Sequence, residues 1–216
     1  MLRHEKDISE ACPDVFDQYR FLVSKADSAF RMVERDYGAC VKCRIGCSDC
    51  CYAIFGVFMI EAVHLKQGLD QVGNAEREAA LLRADEADHE LKEVEEKLAV
   101  FDDNPHVKAF ALAKERVRCP LLDPEDKCII YHYRPITCRV YGIPTAIQGS
   151  GRVCGKAAFE KGKTYPVYNL DAAYRGLYRL SRELIERANI GSADKASLML
   201  SISKVIKTPL QSLMNS

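Results

Sequence analysis

Apolar residues recur at helical spacing through the first part of the chain. Val15, Tyr19 and Leu22 lie three or four residues apart, which is the repeat of one face of an α-helix. The pattern predicts a helix over residues 13–37. Gly38, just beyond it, is suited to end that helix in the left-handed conformation.

The same repeat appears in later segments. The segment that follows Asn74 is rich in acids, and we expect Asn74 to cap a long helix there. That helix should pack on one side only, because its apolar positions form a narrow stripe. The stripe comprises Leu81, Leu82, Leu91, Val94 and Leu98. Helices are predicted over residues 58–69, 74–100, 103–118, 135–141, 170–188 and 193–206.

These patterns predict a mainly α fold. There is no strand–helix–strand rhythm and no internal repeat. We expect a helical single domain over residues 1–216, with a cysteine-ligated metal or cluster site in irregular loops. Its cysteine core should span about 40–155, carry a helical insert at about 74–118, and be followed by C-terminal helices at about 170–206.

Charge and hydropathy narrow the classes of function. Lys and Arg together number 31, as do Asp and Glu, so nucleic-acid binding is not expected. No stretch approaches the roughly 18 apolar residues of a membrane span, and residues 1–7 lack the apolar core of a signal peptide. We therefore expect a cytoplasmic protein whose partner is another protein, and its oligomeric state is left open.

Cysteine is the residue type that is most informative about function. The chain has 10 cysteines, and in a reducing compartment such a number indicates metal binding or redox chemistry rather than disulfides. Five of them fall within residues 40–51. Short Cys-x2-Cys or Cys-x3-Cys steps let one loop direct two thiolates at one centre.

Eight thiols are candidate metal ligands, enough for two four-thiolate centres or for one centre with cysteines to spare. The neighbours Cys50 and Cys51 diverge, so both are not expected on one small ion. The candidates are Cys43, Cys47, Cys50, Cys51, Cys119, Cys128, Cys138 and Cys154. Cys12 is interpreted as a buried bystander, and Cys40 as either a spare ligand or a bystander.

The cysteine boxes resemble a known family. Cys43-x3-Cys47-x2-Cys50-Cys51, Cys119-Pro-Leu-Leu-Asp and Cys128-Ile-Ile-Tyr-His-Tyr-Arg-Pro-Ile-Thr-Cys138-Arg are similar to the zinc- or iron-chelating CxxCxxCC family of bacterial cysteine-cluster proteins (YkgJ-like). The chain departs from it in the x3 first step and in the 67 residues between Cys51 and Cys119. The boxes are distantly similar to those of flagellin lysine N-methylase, which implies a cluster-dependent methyl transfer from S-adenosylmethionine as one alternative.

The irregular spacing between successive cysteines and the adjacent pair Cys50-Cys51 favour an iron–sulfur cluster, preferably 4Fe-4S, over Zn²⁺. Either centre carries a net charge of about −2, which nearby Arg134 and Arg139 would offset. The Cys43-x3-Cys47-x2-Cys50 spacing also occurs in radical S-adenosylmethionine enzymes. Membership is disfavoured because Asp49 stands where they have an aromatic residue and because the strand–helix alternation of their barrel is missing.

Three functions follow from these observations. The first is a metal-binding protein that serves redox chemistry, metal handling or maturation of another protein. The second is a cluster-dependent transferase that uses S-adenosylmethionine to modify a protein side chain. The third is a structural zinc module for protein interaction. His132, within the second box, is interpreted as a surface or supporting residue rather than a ligand.

Overall fold

Helices make up most of the computed structural model, which describes residues 5–44, 46–189 and 191–215. The α-helices are α1 (Glu5–Ala11), α2 (Pro13–Tyr37), α3 (Met59–Leu69), α4 (Asn74–Leu98), α5 (Pro105–Leu112), α6 (Ile136–Val140), α7 (Leu170–Ala188), α8 (Ile202–Lys207) and α9 (Leu210–Asn215). Short 3₁₀ turns cover Asp49–Tyr52, Ala99–Phe101, Tyr131–Tyr133 and Ala193–Ser197. The mainly α fold class is therefore confirmed.

Helix α3 lies at the centre of the core. Ile60, Val63 and Leu65 are fully buried, because α1, α7 and α8 all pack on this helix. Helices α2 and α7 pack against each other and bury one face each. No helix in the described ranges is long and apolar enough to cross a membrane.

A small sheet follows α6 and leads into α7. Strands β1 (Thr145–Ile147) and β2 (Ser150–Arg152) form an antiparallel hairpin, and β3 (Tyr168–Asn169) pairs with β1 in parallel. The order is β2-β1-β3. Strand β2 ends two residues before Cys154, so the position of this cysteine depends on the hairpin.

Several helix ends differ from the predicted ones. The predicted helix over 193–206 is divided into a 3₁₀ turn and α8, because Val57 and Leu200 exchange backbone hydrogen bonds of 2.9 Å. Helix α5 ends at Leu112, six residues early. Gly38 has a right-handed φ of −56°, so its predicted left-handed conformation is wrong.

Helix α4 packs on one side, as expected, but through smaller residues than predicted. Its buried positions are Ala80, Ala84, Ala87 and Leu98, whereas Leu82 is 70% exposed. Small alanine side chains allow α8 to approach closely. Asn74 is the first residue of this helix and Gly73 stands at its cap, so the predicted capping role is wrong.

Glu61 is a buried carboxylate that joins two helix N-termini. It is 3% exposed. Its Oε2 accepts a hydrogen bond from Phe58 N at 3.2 Å, and its Oε1 accepts one from Ile136 N at 2.9 Å. Both donors lie where a helix begins, so the partial positive ends of α3 and α6 face this carboxylate. Glu61 thus fixes the start of α6, the helix that carries Cys138.

Replacing Glu61 by glutamine should lower the free energy of unfolding by about 1–3 kcal/mol, because one buried N–H loses its acceptor. Burial raises the pKa of Glu61 from 4.5 to about 7, because it disfavours the charged form in the folded protein. The protonated side chain therefore contributes fully to the free energy of unfolding below pH 4.5, and this contribution is lost as the pH rises toward 7. Glutamine does not titrate, and the penalty should therefore be larger at pH 5 than at pH 8. Urea unfolding at both values tests this, with exposed Glu78→Gln as control. Equal penalties at the two pH values would contradict it.

Candidate metal centres

A short backbone bridge joins the first cysteine box to the second. Cys119 N donates to Cys51 O at 2.6 Å, and Val117 N donates to Tyr52 O at 3.1 Å. The 3₁₀ turn Asp49–Tyr52 brings Cys50 and Cys51 to the start of this bridge. Cysteines with 67 residues between them in the chain are in this way held side by side.

A tight turn then returns the chain so that Cys128 lies near Cys119. Ile129 N donates to Leu121 O at 3.0 Å. The carboxylate of Asp123 closes the turn by accepting hydrogen bonds from the backbone N–H groups of Glu125 and Lys127. Asx turns of this kind need no partner outside the loop, so the local sequence alone can place these two thiols together.

Helix α6 supplies Cys138 and is anchored from two sides. Its first N–H group is bound by Glu61, as described above. Arg139, whose side chain is 8% exposed, pairs with Asp27 of α2 at 3.0 Å. It also donates to the backbone oxygens of Arg134 and His132. These contacts hold helix α6 against α2 and against the turn that precedes it.

The thiols line two neighbouring pockets. The first, here called the charged pocket, is bordered by Lys42, Asp49 and Lys156 and by four cysteines, with Tyr141, Gly142 and Ala157 completing its wall. Its cysteines are Cys43, Cys47, Cys50 and Cys154. Cys154 Sγ donates a hydrogen bond to Asp49 Oδ2 at 3.1 Å.

The second, here called the apolar pocket, has a wall of apolar side chains that includes Phe55, Leu65 and Ile130, with Arg134 as its charged residue. Its cysteines are Cys50, Cys51, Cys119, Cys128 and Cys138. Cys50 therefore borders both pockets. Every cysteine of the eight predicted ligands lines one pocket or the other.

Cys50 is the sulfur on which negative charge is best stabilised. Hydrogen bonds from the thiols of Cys138 and Cys51 lower the pKa of Cys50, and the charge of Arg134 lowers it further. The same contacts raise the pKa of Cys138 and of Cys51 well above the ordinary value. The Cys50 and Cys51 sulfurs are 4.0 Å apart. Within the apolar pocket, negative charge is thus favoured at Cys50 over Cys51 and Cys138.

Burial opposes ionisation of Cys119 and Cys43. It raises the pKa of Cys119 to about 12 and that of Cys43 to about 11, with neighbouring thiolates adding to both shifts. A bound metal ion reverses this effect, because a coordinating thiol is deprotonated outright. Metal binding to these pockets must therefore release protons.

The donor set fits a thiophilic metal. Thiolates are the ligands preferred by zinc and by iron–sulfur clusters, and the apolar pocket offers five thiols with one arginine to offset negative charge. In the part of the chain described here, no three histidine, cysteine or acidic side chains form a group that could hold an ion as they stand. A cysteine thiol turns about one side-chain bond, so it can be redirected while the backbone stays in place.

A comparison with protein-family models identifies the chain. The model named CxxCxxCC, described as a "putative zinc- or iron-chelating domain", matches residues 39–155, more than half of the 216 residues. The chain belongs to the CxxCxxCC family. The matched range contains all eight cysteines of the two pockets, and the predicted family and zinc- or iron-binding class are confirmed. Searches of curated proteins and of solved structures each returned no significant match.

Within this CxxCxxCC domain, the two predicted arginines lie differently. Arg134 lines the apolar pocket and stacks on the Tyr131 ring at 3.5 Å. Arg139 lines neither pocket and is committed to Asp27. His132 is exposed, in keeping with its interpretation as a surface residue.

The two cysteines left out of the predicted ligand set lie outside both pockets. Cys12 is 1% exposed in the core between α1 and α2, which fits a buried bystander. Cys40 lines neither pocket, and its backbone oxygen accepts a hydrogen bond from Ala158 N at 2.9 Å. Its backbone therefore ties the loop after Cys154 to the first box.

Sequence reasoning did not select Asp49 and Glu61 as functional residues. Glu61 stands in the first turn of a predicted helix, where an acid faces the helix N-terminus, and that signal was available. Asp49 was noted only because it departs from another family's motif. Its position between Cys47 and Cys50 was a usable signal, because a residue inside a ligand loop is held close to the ligands.

Proposed function

We propose that this protein handles metal in the cytoplasm through two thiolate centres, and that the apolar pocket holds an iron–sulfur cluster. The observation that carries the proposal is the set of five cysteines around one apolar pocket. Four thiolates suffice for a cluster of the 4Fe-4S type, so the pocket has its full ligand set without help from outside. The cluster would supply electron transfer, or iron for delivery.

The surroundings of the apolar pocket support a cluster there. Phe55, Ile130 and Ile202 line it, and apolar walls limit the access of water to a metal site. Arg134 brings one positive charge to a centre that would carry about −2. Steps of irregular length, and the Cys50-Cys51 pair, suit a cluster better than the paired Cys-x2-Cys knuckles of structural zinc.

The direct test is chemical analysis of protein purified without oxygen. We expect iron and acid-labile sulfide in similar amounts, with a visible charge-transfer absorption that bleaches in air. Stoichiometric zinc with no sulfide would overturn the cluster while leaving a zinc-binding role. The absence of both metals in protein that is folded by circular dichroism would overturn metal handling altogether.

The two other functions are outcomes of further measurements on the same protein. A structural zinc module predicts that chelation melts the helices, because metal binding is then coupled to folding. A transferase predicts consumption of S-adenosylmethionine under reducing conditions, with transfer of a methyl group to protein. Neither the geometry nor the family match points to a methyl acceptor.

The two arginines should separate cluster retention from fold stability. Arg134→Gln removes the charge beside the thiols, and we expect iron to be lost to a chelator about tenfold faster, the lower end of the range for residues that support metal ligands. Arg139→Gln breaks the ion pair between the buried Arg139 and the partly exposed Asp27 and should instead lower the unfolding midpoint. Chelator kinetics and urea unfolding of both variants distinguish these effects. Equal iron loss from the two variants would contradict the assignment.

A further inference from the structure

The two pockets differ in the ligands that they offer. Cys50 borders both pockets, but its sulfur contacts those of Cys51, at 4.0 Å, and Cys138, which both line the apolar pocket. These contacts group Cys50 with the apolar pocket. The charged pocket is then left with three thiols, those of Cys43, Cys47 and Cys154. A tetrahedral ion takes four ligands, so three thiols leave one coordination position unfilled.

Asp49 is placed to fill that position. Its side chain is only 14% exposed, and it lines the charged pocket together with the three thiols. Its nearest recorded partner is the thiol of Cys154, at 3.1 Å. The cations near it are farther away, with Arg116 at 3.8 Å and Lys156 at 3.9 Å. The carboxylate is therefore closer to the thiol of Cys154 than to either basic side chain.

The distance between these two atoms is close to what a shared ion requires. With Zn–S of about 2.3 Å and Zn–O of about 2.1 Å, two ligands of a tetrahedral ion lie about 3.6 Å apart. The Cys154 Sγ and Asp49 Oδ2 atoms would have to separate by roughly half an ångström. An ion bound between these two atoms would replace the hydrogen-bonded proton.

We propose that the charged pocket binds a single divalent ion, zinc or ferrous iron, through Cys43, Cys47, Cys154 and the carboxylate of Asp49. On binding, the S–H bond of Cys154 breaks, its proton passes to solvent, and the ion bonds to both the sulfur and the oxygen. This inference rests on the proposed metal-handling function and goes beyond it, because it makes the two centres chemically different.

A carboxylate ligand should make the metal of the charged pocket easier to exchange. Oxygen ligands are harder than thiolates and less suited to a thiophilic metal, so the fourth position is the one that an incoming ligand displaces most easily. Lys42 and Lys156 border the same pocket and would attract an anionic ligand. The charged pocket is thus the exchangeable centre, and the apolar pocket is the retained one.

Metal release from the protein as purified tests this inference. A chelator should remove metal in a fast phase from the charged pocket and in a slow phase from the apolar pocket. Asp49→Asn should speed the fast phase by at least about tenfold, the lower limit for residues that only support a metal ligand, and leave the slow phase unchanged. Asp49→Cys should slow it. The controls are Asp17→Asn and Asp17→Cys, because Asp17 is an exposed residue of α2 that pairs with Arg20.

A spectroscopic measurement counts the ligands directly. After exchange of Co²⁺ into the folded protein, Asp49→Cys should add the charge-transfer intensity of one cobalt–thiolate bond, whereas Asp17→Cys should add none. Unchanged intensity in Asp49→Cys, together with an unchanged fast phase in Asp49→Asn, overturns Asp49 as a ligand. If the wild-type protein holds no metal at all, it is the proposed function that fails.

Discussion

Replacing Cys138 by serine should strip the apolar pocket of its metal and lower the free energy of unfolding. Cys138 lines that pocket and donates to Cys50, the sulfur where negative charge is best stabilised. A serine hydroxyl does not ionise near neutral pH and is a poor ligand for a thiophilic metal. The loss removes both a ligand and the hydrogen bond that prepares its neighbour.

The loss of stability should be large because a metal that binds only the folded protein stabilises it, by about 4 kcal/mol at a thousandfold excess over Kd. An ordinary point substitution changes stability by about 1 kcal/mol. Iron, sulfide and zinc analysis with urea unfolding measures both effects. The matched control is Cys40→Ser, because Cys40 lies outside both pockets. Cys138→Ser protein with the wild-type metal content would contradict the assignment.

Replacing Gly142 by alanine should empty the charged pocket and spare the apolar one. A Cβ atom at Gly142 would lie 2.5 Å from Cys43 Cβ, 3.2 Å from its Sγ and 3.1 Å from Phe30 Cε2. The Cβ of Cys43 cannot rotate away from this contact, because it is bonded directly to the backbone. The loop that carries Cys43 must therefore move, and with it one ligand of the site.

The fast phase of metal release should consequently disappear in Gly142→Ala while the slow phase remains. Gly155→Ala is the control, since a Cβ at Gly155 meets nothing within 4 Å and Gly155 follows Cys154 directly. Loss of both phases in Gly142→Ala would show that the two pockets are not independent. An unchanged fast phase would show that Cys43 is not a ligand.

Local sequence predicted the helices well wherever neighbouring residues determine them. Helix α7 occupies its predicted range of 170–188, because it is amphipathic and Asn169 and Asn189 stop it at both ends. The segment after it was predicted less well. Leu200 pairs with Val57, more than 140 residues earlier, and no local pattern encodes that contact.

The cysteine site, too, could be predicted only in part from the sequence. Spacing and family resemblance selected the eight thiols, and these are the cysteines that line the two pockets. Their division between the pockets could not be predicted. It depends on the bridge between Cys51 and Cys119 and on the position of Cys50 between the two groups, both of which are tertiary features.

Anomalous X-ray scattering at the metal edge, from crystals of anaerobically purified protein, tests the central claim most directly. Two separate peaks are expected. One should lie among the sulfurs that line the apolar pocket, including Cys50 Sγ, and the other should lie beside Cys154 Sγ and Asp49 Oδ2. Ordered thiols with no metal density between them, in protein that retains its helices, would contradict the account.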